Sequence, residues 1–154
     1  MTTQTQFDQL KTAGYNLIPV YRQRLADTET PLSVFARLKE HKQAYLFESV
    51  DGGENWARSS IIGLGESTVF SCNAGELTIQ QADGTIENQP CTDPFQFIRD
   101  FQSQYKVPTQ ADLPALPSFT GGLVGYFGYD AVRYIEPRLN NAPEADPVGL
   151  PDIW

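Results

Sequence analysis

The chain has 154 residues, 40% hydrophobic and 19% charged, with a net charge of −8. That size and composition suit one soluble globular domain burying roughly 70% of its unfolded surface. The acidity and scattered basic residues argue against nucleic acid as a partner. The lack of any run near ~20 apolar residues argues against a membrane one.

The polar start MTTQTQFDQLKTAGYN has no apolar signal core, so a cytoplasmic protein is expected. Within it, Gln6 to Gly14 reads as a short helix, with Phe7 and Leu10 three apart and Gly14 as the stop. In NLIPVYRQRLA, Pro19 bars a central strand or helix interior, which leaves an extended edge segment. TETPLSVFARLKEHK is the clearest helix. Thr30 caps it, Pro31 opens it, and Leu32, Phe35 and Leu38 share a face. Lys39 and Lys42 suit its C-terminal dipole.

Strand-like runs follow: AYLFES, ARSSIIGLG, STVFSCNA, ELTIQQA and TIENQ. Asp83-Gly84 is a strong hairpin turn and Asn73-Ala74-Gly75 a weaker one, so an antiparallel meander is expected. Ile61, Ile62, Val69 and Leu77 are its candidate buried positions. DPFQFIRDFQSQY is a second helix, capped by Asp93 and opened by Pro94, with Phe95, Ile98 and Phe101 as its buried stripe. A proline-rich loop leads to FTGGLVGYFGYDAVRYIE, a glycine-rich strand turning helical from about Asp130. The tail reads as loop, and its apolar end, Ile153-Trp154, suggests a cut through a longer chain. The class is α+β, antiparallel sheets with helices packed on one face, forming one domain over residues 1–154.

Catalytic sets are not evident. His41, the one histidine, reads as a solvated cation at a helix end. Cys72 and Cys91 lack metal-ligand spacing and read as reduced structural thiols. GGLVGYFG lacks dinucleotide-loop spacing; its glycines suit close approach of another backbone or a ligand. No metal or catalytic residue is assigned within these residues.

The stretch Ala44 to Gly63 is different. Glu48 and Ser49 end one strand, and Arg58 to Ser60 begin the next. If the strands pair, a carboxylate, hydroxyls and a guanidinium gather at one strand end. A zwitterionic amino acid needs that set: its ammonium wants a carboxylate, its carboxylate wants a guanidinium or hydroxyls. Leu46 and Phe47 could hold an apolar side chain. The alternative is a decorated hairpin whose Glu48 and Arg58 form a surface ion pair of little energetic value.

The runs YLFESVDGGENWARSSIIG and FTGGLVGYFGYDAVRYIE, with the order TPLSVFARL, DPFQFI, LP between and around them, resemble the N-terminal region of the anthranilate synthase large subunit. This is a chorismate-utilising enzyme family, and the likeness covers nearly the whole chain. The resemblance implies that the complete enzyme turns chorismate and ammonia into anthranilate and pyruvate with Mg²⁺. A glutamine amidotransferase subunit supplies the ammonia. It further implies an L-tryptophan feedback site. Leu46, Phe47, Glu48 and Ser49 match the family's Leu-Leu-Glu-Ser segment there. Arg58, with Ser60 two residues on, matches a pocket arginine, and Pro31 a helix-start proline. Phe47 replaces a leucine and Ser59 a common tyrosine; the bulkier Phe47 implies a narrower pocket or an altered affinity.

The catalytic, chorismate-binding domain follows later in the family and is absent from these residues. An uncovered sheet face suggests a homodimer. Two alternatives remain open at this point: the equivalent region of aminodeoxychorismate synthase, with a structural tryptophan, and a non-catalytic docking domain for the amidotransferase.

Overall fold

The computed structural model describes residues 1–41, 43–48, 59–65, 68–117, 119–139 and 149–154. They fall into two compact units. The first contains Met1–Gln23, Val69–Gln80 and Gly84–Trp154; the second contains Arg24–Thr68 and Gln81–Asp83.

In the first unit, helix α1 spans Gln4–Thr12. It starts two residues before the position read from sequence because Thr3 and Gln6 form a capping box. The Gln6 amide donates to Thr3 Oγ1 at 3.2 Å, and the Thr3 amide donates to Gln6 Oε1 at 3.0 Å. Gly14 stops it in the left-handed region, at φ +86°. Leu10 is buried against Leu113 and Leu116. The segment around Pro19, expected as a sheet edge, is in no strand; Thr2 holds it instead by donating from Oγ1 to the Pro19 carbonyl at 3.1 Å.

Strands β3 (Val69–Asn73), β4 (Glu76–Gln80) and β5 (Ile86–Pro90) form an antiparallel meander. Phe70 opposes Ile79 and Cys72 opposes Leu77, so these four share a face. The other face carries Ser71, Thr78 and Asn88 between Val69 and Ile86, with Thr78 donating to Asn88 across the pair at 2.9 Å. Helix α3 (Pro94–Ser103) covers the apolar face. Asp93 caps it, accepting from the Gln96 amide at 2.8 Å. Phe70 meets Phe97 and Phe101 edge-on, with centroids 5.1 and 4.7 Å apart. Phe97 thus joins the stripe expected from Phe95, Ile98 and Phe101, which widens it.

The tail corrects the loop reading. Ile153 pairs antiparallel with Cys72 on one side and Phe127 on the other. The Cys72 amide donates to Ile153 at 2.8 Å, and the Tyr126 amide to Trp154 at 2.7 Å. The glycines of the 119–128 segment serve the expected close approach. A β-carbon on Gly125 would overlap the Trp154 carbonyl, and one on Gly128 would lie 3.2 Å from the Asp152 oxygen. That segment is not a full strand; its sheet character is confined to the bridge at Phe127. From Tyr129 to Tyr134 it turns into a 3-10 helix.

In the second unit, helix α2 (Pro31–Leu38) is capped as the sequence indicates. Thr30 Oγ1 accepts from the Ser33 amide at 3.1 Å, and Pro31 takes the first turn. It packs against both strands of a hairpin, β1 (Tyr45–Glu48) and β2 (Ser60–Gly63). The expected single meander is therefore two separate sheets. Gly63-Leu64-Gly65 ends β2, since glycine weakens a strand interior, and β3 starts afresh at Val69. Leu77 is buried, and Ile61, Ile62 and Val69 are half-buried. The architecture is α+β.

Candidate functional site: the β1–β2 hairpin

β1 and β2 pair antiparallel, with Tyr45 opposite Gly63, Leu46 opposite Ile62, Phe47 opposite Ile61 and Glu48 opposite Ser60. Directly opposed residues share a face, and successive ones alternate. Leu46, Glu48, Ser60 and Ile62 therefore share one face, and Tyr45, Phe47, Ile61 and Gly63 the other. Glu48 and Ser60 are exposed at the end of the pair that leads into residues 49–59; Leu46 and Ile62 behind them are half-buried. Opposed β-carbons in such a pair lie about 4.5–5.5 Å apart, so one small polar group can reach both side chains.

Of the residues singled out in the sequence, the structure brings together Leu46, Glu48 and Ser60. Phe47 stands on the opposite face, 51% exposed, with its ring centroid 5.3 Å from that of Tyr45. Successive strand residues alternate between faces, so Phe47 and Glu48 point to opposite sides of the pair. Pro31 begins α2, which packs on the same hairpin. Ser49 and Arg58 lie outside the described residues.

Arg37, the charged residue of α2, is already engaged. Arg37 donates to both oxygens of Glu29 at 2.8 and 2.9 Å. Ser33 donates to the same carboxylate at 2.7 Å. The Ser33 hydroxyl and then Arg37 hold the Glu29 carboxyl below its ordinary range.

An open cleft of about 370 Å³ beside α1 is lined by Leu10, Tyr15, Asp112 and Leu113, among others. Asp112 accepts there from the Thr109 amide at 2.8 Å and its hydroxyl at 2.9 Å. Cys72 and Cys91 are free thiols, buried as expected. Among the described residues, no three His, Cys, Asp or Glu side chains gather as a metal site. No helix among them is long and apolar enough to cross a membrane.

The sequence reading missed two arrangements. One is the Tyr45–Gly63 pair. The other is a knot at Tyr134, whose hydroxyl donates to Asp152 at 2.8 Å and accepts from the Gly75 amide at 3.1 Å. The only signal for the first was a glycine inside an otherwise β-rich run; the second joins segments far apart in sequence and left none.

No protein-family model matches the chain. Curated proteins do. Over all 154 residues the chain is 80% identical to anthranilate synthase component 1 of Acinetobacter calcoaceticus. It is 47% identical over 148 residues to that of Pseudomonas putida, and 40% over 156 residues to that of Neisseria meningitidis serogroup B. These matches cover 100%, 96% and 99% of this chain but only 31%, 29% and 31% of those proteins. The chain therefore belongs to the anthranilate synthase component 1 family and corresponds to about the N-terminal 30% of its members.

Proposed function

We propose that this chain is the tryptophan-sensing part of an anthranilate synthase large subunit. The whole enzyme would make anthranilate and pyruvate from chorismate in the cytoplasm, as a lyase. Its ammonia would come from a glutamine amidotransferase subunit, the second component implied by the name component 1. The observation that carries the sensing role is the hairpin register. A carboxylate, Glu48, and a hydroxyl, Ser60, face each other at an exposed strand end, with apolar Leu46 and Ile62 behind them.

That arrangement suits a zwitterion with an apolar side chain. Glu48 accepts from the ligand's ammonium, and Ser60 donates to its carboxylate. By the resemblance to the family, Ser49 and Arg58 complete the carboxylate's partners and Pro31 borders the pocket. The indole ring would lie over Leu46 and Ile62. Phe47, on the far face, would support the hairpin rather than touch the ligand.

Magnesium belongs to the whole enzyme in this reading. The described residues offer no set of carboxylates fit to hold it, so no step through the ion is assigned to them. The 154 residues alone are expected to form no anthranilate.

The test is inhibition of anthranilate formation by L-tryptophan in the full-length protein. Ser49→Ala removes one hydrogen bond to a charged group, about 1.5–3 kcal/mol, and should raise the inhibitory concentration about ten- to hundredfold. An enzyme insensitive to tryptophan, or a variant as sensitive as the parent, would refute the reading.

A further inference from the structure

We propose that Tyr45, laid across Gly63, is the positioning residue that keeps Glu48 opposite Ser60. Its consequence for ligand response rests on the tryptophan-site reading above; the register claim itself does not.

The hairpin needs such a device. Its strands have four residues each, and residues 49–59 separate them in the sequence. A two-residue turn sets register, but a long connection does not, and a one-residue slip sends every side chain to the wrong neighbour. Register must then come from pairs that fit in one alignment only. Leu46 opposite Ile62 and Phe47 opposite Ile61 are apolar pairs that shifted neighbours could replace.

Tyr45 opposite Gly63 is different. The outer end of the tyrosine ring occupies the space that a β-carbon on residue 63 would fill. A one-residue slip brings Ile62 or Leu64 opposite Tyr45, and either β-carbon closes that space. In those alignments Glu48 would face Ser59 or Ile61 instead of Ser60. The Phe47 ring, tilted 44° to that of Tyr45 on the same face, supports the tyrosine from the side. An aromatic ring covering a cross-strand glycine also shields backbone that glycine would leave open. A two-residue slip would set Gly65 beneath the ring, and Glu48 would then face Ile62, which has no hydroxyl to offer. This alignment is the sternest competitor to the observed one.

Paired cysteines in the full-length protein read the register directly. Leu46→Cys with Ile62→Cys reports the observed alignment. Leu46→Cys with Ile61→Cys reports a one-residue slip, and with Leu64→Cys the two-residue slip. Peptide mapping separates these bridges from native Cys72 and Cys91. With Tyr45 or Tyr45→Phe, the 46–62 bridge should dominate by about tenfold or more; with Tyr45→Ala the three should form at rates within about threefold. If Tyr45→Ala does not fold, Gly63→Ala makes the same test, because its β-carbon displaces only the far end of the ring. A 46–62 bridge still dominant in these variants, or a 46–64 bridge prominent in the parent, overturns the proposal.

Tryptophan inhibition of the Tyr45 and Gly63 variants without the cysteine pairs separates the two claims. A loosened register with an inhibitory concentration raised about tenfold, restored by Tyr45→Phe, supports both. A loosened register with an unaltered tryptophan response supports the lock and sinks the tryptophan-site reading.

Discussion

Tyr134 shows how much one side chain can hold. Its hydroxyl donates to Asp152, accepts from the Gly75 amide and lies 3.5 Å from Cys72 Sγ. It thereby ties the tail to the β3–β4 turn, where Ala74 takes a left-handed φ of +49° that a residue with a β-carbon adopts at some cost. The Ala74 amide adds a bond to Asp152 at 3.1 Å. Tyr134→Phe leaves the Gly75 amide unpaired in a half-buried place and should cost about 1–3 kcal/mol in urea unfolding. Burial, then the neighbouring Cys72 and Asp152, push the Tyr134 hydroxyl well above its usual value of 10.0. Burial likewise pushes the Cys91 thiol above 9.0. A raised folded-state pKa means that stability is complete below the ordinary value and is lost as pH rises past it. Urea midpoints should therefore hold steady up to about pH 8 and fall from about pH 9 upward. In Tyr134→Phe the part of the fall above about pH 10 should be smaller. A flat alkaline profile in the parent contradicts this account of the knot.

At the scale of elements, the helices were legible in the sequence because their signals are local. Thr30-Pro31 and Asp93-Pro94 each supply a cap and a proline in the first turn, and α2 and α3 begin where they indicate. Asp93→Ala should cost about 1 kcal/mol in the same unfolding measurement, since it orphans the Gln96 amide. A change within the error of the measurement would mean that α3 is held by its aromatic face alone. The Asp83-Gly84 turn was legible for the same local reason; Gly84 sits at φ +88°. What was not legible depends on distant partners. The Ala74 to Asp152 bond spans 78 positions, and nothing in PDIW announces a sheet partner. The glycine-rich segment has the composition of a strand, but among the described residues its partner is the three-residue stretch at the tail. For the candidate site, residue types and order along the hairpin could be read directly. The faces could not, because alternation assigns them only once register is known, and this is why Phe47 and Leu46 were grouped together.

At the scale of the whole molecule, the chain spans about 31% of the length of its relative in Acinetobacter calcoaceticus. In the first unit, Phe127, Tyr129, Leu150 and Trp154 expose large apolar surfaces, with Phe127 at 61%. Backbone at 126–128 pairs with the tail on one side and with no strand of the described residues on the other. Open edges beside apolar patches favour association, so the 154-residue chain is expected to self-associate, with a dimer as the simplest closed form. Light scattering over a concentration series should show a mass rising toward twice the monomer's. A constant monomer mass at the highest soluble concentration contradicts the expectation. The hairpin end formed by Glu48 and Ser60 is proposed to recognise an amino-acid zwitterion. Calorimetric titration of L-tryptophan into the full-length protein tests it most directly, in the parent and in Glu48→Gln, which keeps the shape and removes the charge. Saturable binding to the parent is expected, with a dissociation constant about ten- to hundredfold higher in the variant, the loss of one charged hydrogen bond. Equal affinity in the two proteins, or no heat of binding in the parent, would contradict it.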